Sequence, residues 1–273
     1  MTLGFERRAT IVARDGENIY AEATGVGEPI VFCHGLGGNH AIWWRQIGAF
    51  AQRYCVITWD QRGFGNSTAH SGRTGIDEAA GDLIAVLDAL QIRRAHLVGQ
   101  SMGAFVALRA ALDHPDRAIS LVLSTTLAGA DPRHSRALHA AVPDRPRRDR
   151  HPVVSADFSR SEPDLVVLYN LISSFGTKPP VGEMVEAMAS HRFGDDELAS
   201  LALPTLFLAA ANDQFCPPAV MKTAAGRVPG AAVDVLPGAG HSVFYEQPAT
   251  WTDAVLKFVE SAPPRYDIGK EEA

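Results

Sequence analysis

Short apolar runs alternate with amphipathic stretches along most of this chain, and that rhythm constrains the fold more than any other feature. Pro29-Ile-Val-Phe-Cys33, Tyr54–Trp59, Ala95–Val98 and Ala118–Ser124 read as strands. They lack polar alternation, as strands covered on both faces do. Between them, Trp43–Gln52 and Met102–Asp113 have helical spacing. Ile76–Leu90 sets Ala79, Ala80, Leu83, Val86, Leu87 and Leu90 on one helical stripe. Alternating strands and helices need crossover connections, so the spacing predicts an α/β fold with a parallel, doubly wound sheet. Ahead of it, residues 7–13 and 17–24 predict a hairpin about Arg14-Asp15-Gly16, because Asp-Gly tolerates positive φ.

The rhythm stops near Ala128 and resumes with Pro204–Leu208, Pro217–Val228, Ala232–Leu236 and Pro248–Ser261. In the interval Asp164–Ser174 and Gly182–Ser190 look helical, Pro143–Pro152 reads as a loop, and no apolar strand is evident. The chain therefore divides into a core over 1–127 and 203–262, interrupted by a helical cap over 128–202. A flexible, Pro- and charge-rich tail over 263–273 could dock on a second copy in a homodimer.

Composition removes several classes. With 46% hydrophobic and 21% charged residues, 273 residues can bury a large core. A formal charge of -6 argues against a nucleic-acid partner. No apolar run reaches the ~18–20 residues of a membrane span, and Glu6, Arg7 and Arg8 are not followed by a signal-type apolar stretch. Cys33, Cys55 and Cys216 are odd in number and far apart, which suits buried thiols in a reducing, cytoplasmic setting rather than a disulfide or zinc framework.

The chemistry concentrates at Gly99-Gln-Ser-Met-Gly103, a G-x-S-x-G that leaves a strand and opens a helix. Such a turn exposes the Ser101 hydroxyl at the carboxyl edge of the sheet, beside a helix N-terminus that favours negative charge. A serine needs a base. Of ten histidines, His241 stands out, in a loop after Gly238-Ala-Gly240 and at the same sheet edge. Asp213, a few residues past Thr205–Leu208, is placed to orient the imidazole. Oxyanion donors are expected from the N–H of Met102 and from the loop His34-Gly-Leu-Gly-Gly38, with Leu36 first and Gly37 second. His34, directly after a strand, is better suited to bracing that loop than to acting as base.

HGLGG at His34–Gly38, DQRGFGNS at Asp60–Ser67, GQSMG at the serine, the Asp213 turn and GAGHSVFYEQP at Gly238–Pro248 together resemble the α/β-hydrolase superfamily. The likeness covers residues 18–126 and 203–260. It implies an α/β-hydrolase fold, with a mainly parallel eight-stranded sheet, helices on both faces and an inserted helical cap. The chain is similar to capped small-molecule hydrolases of the 3-oxoadipate enol-lactonase type, with meta-cleavage C–C hydrolases as near relations. Haloalkane dehalogenases and epoxide hydrolases carry aspartate where Ser101 stands, so acyl chemistry is favoured. The expected activity is hydrolysis of a small-molecule ester or lactone, with no cofactor and no metal. C–C bond hydrolysis of a diketone and a non-catalytic ligand-binding role are the alternatives.

Gly37, Trp43, Phe175 and Phe244 are the candidates for contacts with substrate, chosen from apolar side chains that include Trp44, Phe64 and Phe105. Arg145, Arg147, Arg148 and Arg150, interleaved with Asp144 and Asp149, read as a solvated loop. The sharper alternative is that one of them binds a substrate carboxylate in two parallel hydrogen bonds. His134 and His139 lack the acidic or thiol partners of a metal site. Gly63 and Gly65 shape a turn rather than a phosphate loop.

Overall fold

The computed structural model describes residues 6–131 and 153–262. The loop Pro143–Pro152 with its arginines, the pair His134 and His139, and the tail 263–273 lie outside the described residues.

One sheet contains β1 (Arg7–Arg14), β2 (Glu17–Thr24), β3 (Glu28–Cys33), β4 (Tyr54–Trp59), β5 (Ala95–Gln100), β6 (Ala118–Ser124), β7 (Thr205–Ala210) and β8 (Ala232–Leu236). Their spatial order is β1-β2-β4-β3-β5-β6-β7-β8. The β1–β2 hairpin is antiparallel and turns through Asp15 and Gly16, both at positive φ; β2 is antiparallel to β4. From β4 to β8 every pairing is parallel. Helices α1 (Trp44–Phe50, after a 3₁₀ turn at His40–Trp43), α2 (Ile76–Ala89) and α3 (Met102–Asp113) join the first strands. Between β6 and β7 come α4 (Ala156–Ser161), α5 (Pro163–Ser174), α6 (Val181–Ser190) and α7 (Asp195–Ala199). Then follow α8 (Pro218–Ala225), α9 (Val243–Glu246) and α10 (Pro248–Ser261).

Period-two alternation splits the unbroken apolar runs between two cores. On β3, Val31 and Cys33 face the layer with α2, α3 and α8, while Ile30 and Phe32 face the layer with α1 and α10. Phe207 and Ala209 on β7 join the first, Leu206, Leu208 and Ala210 the second. This is why the runs read as strands yet carry no polar face.

The chain leaves β3 toward β4 on one side and leaves β5 toward β6 on the other. The winding therefore reverses between β3 and β5, and the crevice beyond the carboxyl ends of such strands is where open α/β sheets bind ligands. His34–Gly38 follows β3 and Ser101 follows β5. The loop after β4 is tied down by a buried ion pair, Arg62 Nε and Nη2 to the two Asp82 oxygens of α2 at 2.8 and 2.6 Å. No helix among the described residues is long and apolar enough to cross a membrane.

Candidate active site

Ser101 sits between β5 and α3 with φ 53° and ψ −116°, a left-handed conformation that a non-glycine residue adopts only under constraint. The constraint is visible. Its N–H donates to Ser124 O at 3.0 Å, and Thr126 Oγ1 donates to its carbonyl at 2.8 Å. The flanking glycines permit the approach of neighbouring backbone. A Cβ on Gly103 would fall inside 3.0 Å of the Cys33 and His34 carbonyl oxygens, and one on Gly99 inside 3.0 Å of Ala104 Cα and Gly103 O. The first turn of α3 can thus abut the loop after β3.

The Ser101 hydroxyl donates to His241 Nε2 at 2.9 Å, and His241 Nδ1 donates to Asp213 Oδ2 at 2.9 Å. The carboxylate can only accept, so it sets the tautomer that leaves Nε2 free for the serine proton. Asp213 is itself held, because Oδ1 accepts the N–H groups of Phe215 at 2.8 Å and Cys216 at 3.0 Å. Asp213 and His241 are 4% and 8% exposed. Their loops, after β7 and β8, are joined by the Asn212 N–H donating to Ala239 O at 3.1 Å. The chain thus brings together three residues spread over 140 positions of sequence.

Met102, the first residue of α3, presents one of the N–H groups a helix leaves without an internal partner. Leu36 and Gly37 lie half-buried in the turn closed by Gly38 N–H donating to Gly35 O at 3.0 Å, with Gly37 at φ 79°. His34 braces this turn: its Nε2 accepts the Gln61 N–H at 3.0 Å, so its Nδ1 carries the proton and donates to Gly35 O at 2.9 Å. Burial pushes its pKa down to about 4, which keeps the ring neutral.

A second chain of the same residue types tests what makes a site. His96 lies 2.8 Å from Ser120 Oγ and 3.1 Å from Glu28 Oε2. Yet Ser120 is 0% and His96 1% exposed, and Ser120 lies inside β6 rather than on a turn. No substrate can reach it, so these residue types in hydrogen-bonded order do not by themselves make a site; Ser101 differs in lying on a turn at a strand end.

Asp213, Cys216 and His241 offer three potential metal-ligand atoms within 4.8 Å of one another. These groups suit a metal poorly. Both Asp213 oxygens are already engaged, and burial, helped by the Asp213 charge, holds the Cys216 thiol far above its ordinary pKa, against the thiolate a metal needs.

Of the apolar candidates, Trp43 and Phe244 are fully buried and pack on each other with ring centroids 4.6 Å apart, against Phe32 and Trp251. They belong to the core layer beneath α1 and α10. Phe175, at the end of α5, is 56% exposed. Two supporting residues carry no signal as isolated letters. Gln100 Nε2 donates to Thr125 Oγ1 at 3.1 Å and to His241 O at 3.3 Å. Glu246 accepts the Ser155 N–H at 3.0 Å and the Gly240 N–H at 3.3 Å. Its place in GHSVFYEQP, five residues past His241, was the available clue.

Comparisons with known proteins bear on the fold and the family. A Caulobacter vibrioides relative bearing the name of a carbamate hydrolase, RutD, is 30% identical over 269 residues, covering 94% of this chain and 100% of its own. The structure of Est816, described as an N-acyl homoserine lactone degrading enzyme, superposes with TM-score 0.75 at 30% identity over 91% of this chain and 100% of that one. An enol-lactonase from Burkholderia xenovorans LB400 superposes with TM-score 0.79 at 25% identity, over 92% of this chain and 100% of that one. A family model described as the alpha/beta hydrolase fold matches residues 28–248, from the start of β3 to the start of α10, and the chain belongs to that family.

Proposed function

We propose that this hydrolase cleaves a carboxylic ester or lactone of a small molecule through an acyl-enzyme on Ser101. The observation that carries the reading is the unbroken hydrogen-bond chain from Asp213 through His241 to Ser101, with 2.9 Å at each link. As Ser101 Oγ attacks the carbonyl carbon, His241 Nε2 takes its proton and Asp213 stabilises the imidazolium. The N–H groups of Met102 and Leu36 receive the oxyanion, each contributing on the order of 3 kcal/mol to lowering the barrier. His241 returns the proton to the departing alcohol, and water then repeats the sequence on the acyl-enzyme. Gly37 gives the oxyanion turn its shape, and the helices between β6 and β7 act as a cap with Phe175 at its rim. Trp43 and Phe244 back the site from the core. The names of the relatives, lactone-degrading enzyme and enol-lactonase among them, support acyl-oxygen cleavage.

Initial rates on p-nitrophenyl esters of increasing acyl length, an enol-lactone and a vinylogous 1,5-diketone test the reading, with Ser101→Ala as blank. Serine-dependent turnover of an ester or lactone is the expected result. Turnover of the diketone alone contradicts it.

A further inference from the structure

A cleft of about 240 Å³ opens on His241, between the chain leading into α4 and the loops after β7 and β8. Ser155, Asp157, Asn212 and Gln214 line it beside Phe215, whose ring meets that of His241 edge-on at 5.3 Å. Its walls are fixed to one another. Ser242 N–H donates to Val153 O at 2.9 Å, and the Glu246 carboxylate bridges the N–H groups of Ser155 and Gly240, one on each wall. Asn212, Gln214 and Asp157 are exposed, so the cleft communicates with solvent.

The size and lining select what fits. Sites for drug-sized ligands run to roughly 300–1,000 Å³ and are mostly apolar. This one is smaller and edged by hydroxyl, carboxylate and amide groups, so it suits water and other small polar molecules. On the α3 side of Ser101, Met102 and Phe105 are buried. Resting on the acyl-enzyme reading above, we propose that this cleft is the port by which the acyl acceptor, water or a short alcohol, reaches His241. The acyl chain lies elsewhere. The acceptor oxygen bonds to the acyl carbon while its proton passes to His241 Nε2. The bond from that carbon to Ser101 Oγ then breaks as the same proton moves to Oγ. A carboxylic acid leaves when the acceptor is water, and an ester leaves when it is an alcohol.

Narrowing the port from either wall tests this. Asp157→Trp and Gln214→Trp alter exposed side chains on opposite sides, one in the first turn of α4 and one in the loop after β7. In rapid-mixing experiments with p-nitrophenyl acetate, the acylation rate is expected to stay within about twofold of the parent. Steady-state turnover is expected to fall about tenfold or more, with a nitrophenolate burst approaching about one equivalent of enzyme. Added methanol is expected to lose its rate advantage in both variants. Unchanged deacylation in both variants, with Ser101-dependent acylation intact, overturns the port alone, as does a parallel fall in acylation and deacylation. A parent enzyme that shows no Ser101-dependent acylation overturns the acyl-enzyme reading beneath it.

Discussion

Ser101 pays for its exposure in backbone strain. A non-glycine residue at φ 53° costs on the order of 1–3 kcal/mol and persists only when its surroundings over-determine it. Thr125, at φ 41° on the neighbouring strand end, is held the same way, its N–H donating to Leu208 O at 2.9 Å. Ser101, Asp213 and His241 were legible in sequence because glycines and strand ends mark turns. Thr125, Gln100 and Glu246 were not, because their roles arise from partners up to 141 residues away. Asp213→Asn preserves the shape but not the acceptor that sets the His241 tautomer. It is expected to lower kcat on the order of 10⁴-fold with KM little changed, measured on the best substrate of the panel.

Among the elements, the contact between α3 and the loop after β3 decides whether the proposed oxyanion donors, the N–H groups of Leu36 and Met102, share one site with Ser101. Gly103→Ala places a methyl against the Cys33 and His34 carbonyls. The expected outcome is a lower Tm and a larger loss of kcat than of substrate binding, because the two donors are driven apart. Thermal melts and kcat/KM with kcat measured separately check it; unchanged values contradict the contact. At this scale the sequence reading places β2, β4, β6, β8, α3 and α10 at the residues where they are found. It stops β5 and β7 two residues short, since Gly99-Gln100 and Ala209-Ala210 carry little β-propensity. The short helices α4, α7 and α9 escape it because they span less than two turns and show no period.

For the molecule as a whole, the reversal of winding between β3 and β5 sets the turn His34–Gly38 and Ser101 at one crevice, while two buried layers hold the sheet on either face. Stability of that whole is pH-dependent through histidines that fold neutral. Burial lowers His34 to about 4 and pushes His96 down as well. A lowered histidine stabilises the fold above its unfolded pKa of about 6.5, and the contribution is lost as the pH falls toward the folded value. Urea unfolding is expected to show stability falling between pH 7 and pH 4, with His34 contributing on the order of 3 kcal/mol of the fall, and no such slope from pH 7 to 8. A flat profile between pH 7 and pH 4 contradicts the neutral, buried imidazole. The most direct test of the central claim is intact-mass analysis, with peptide mapping, of enzyme quenched during turnover of an activated ester. An acyl adduct is expected on the peptide containing Ser101 and absent from Ser101→Ala; turnover with no adduct, or with the adduct on another residue, contradicts an acyl-enzyme on Ser101.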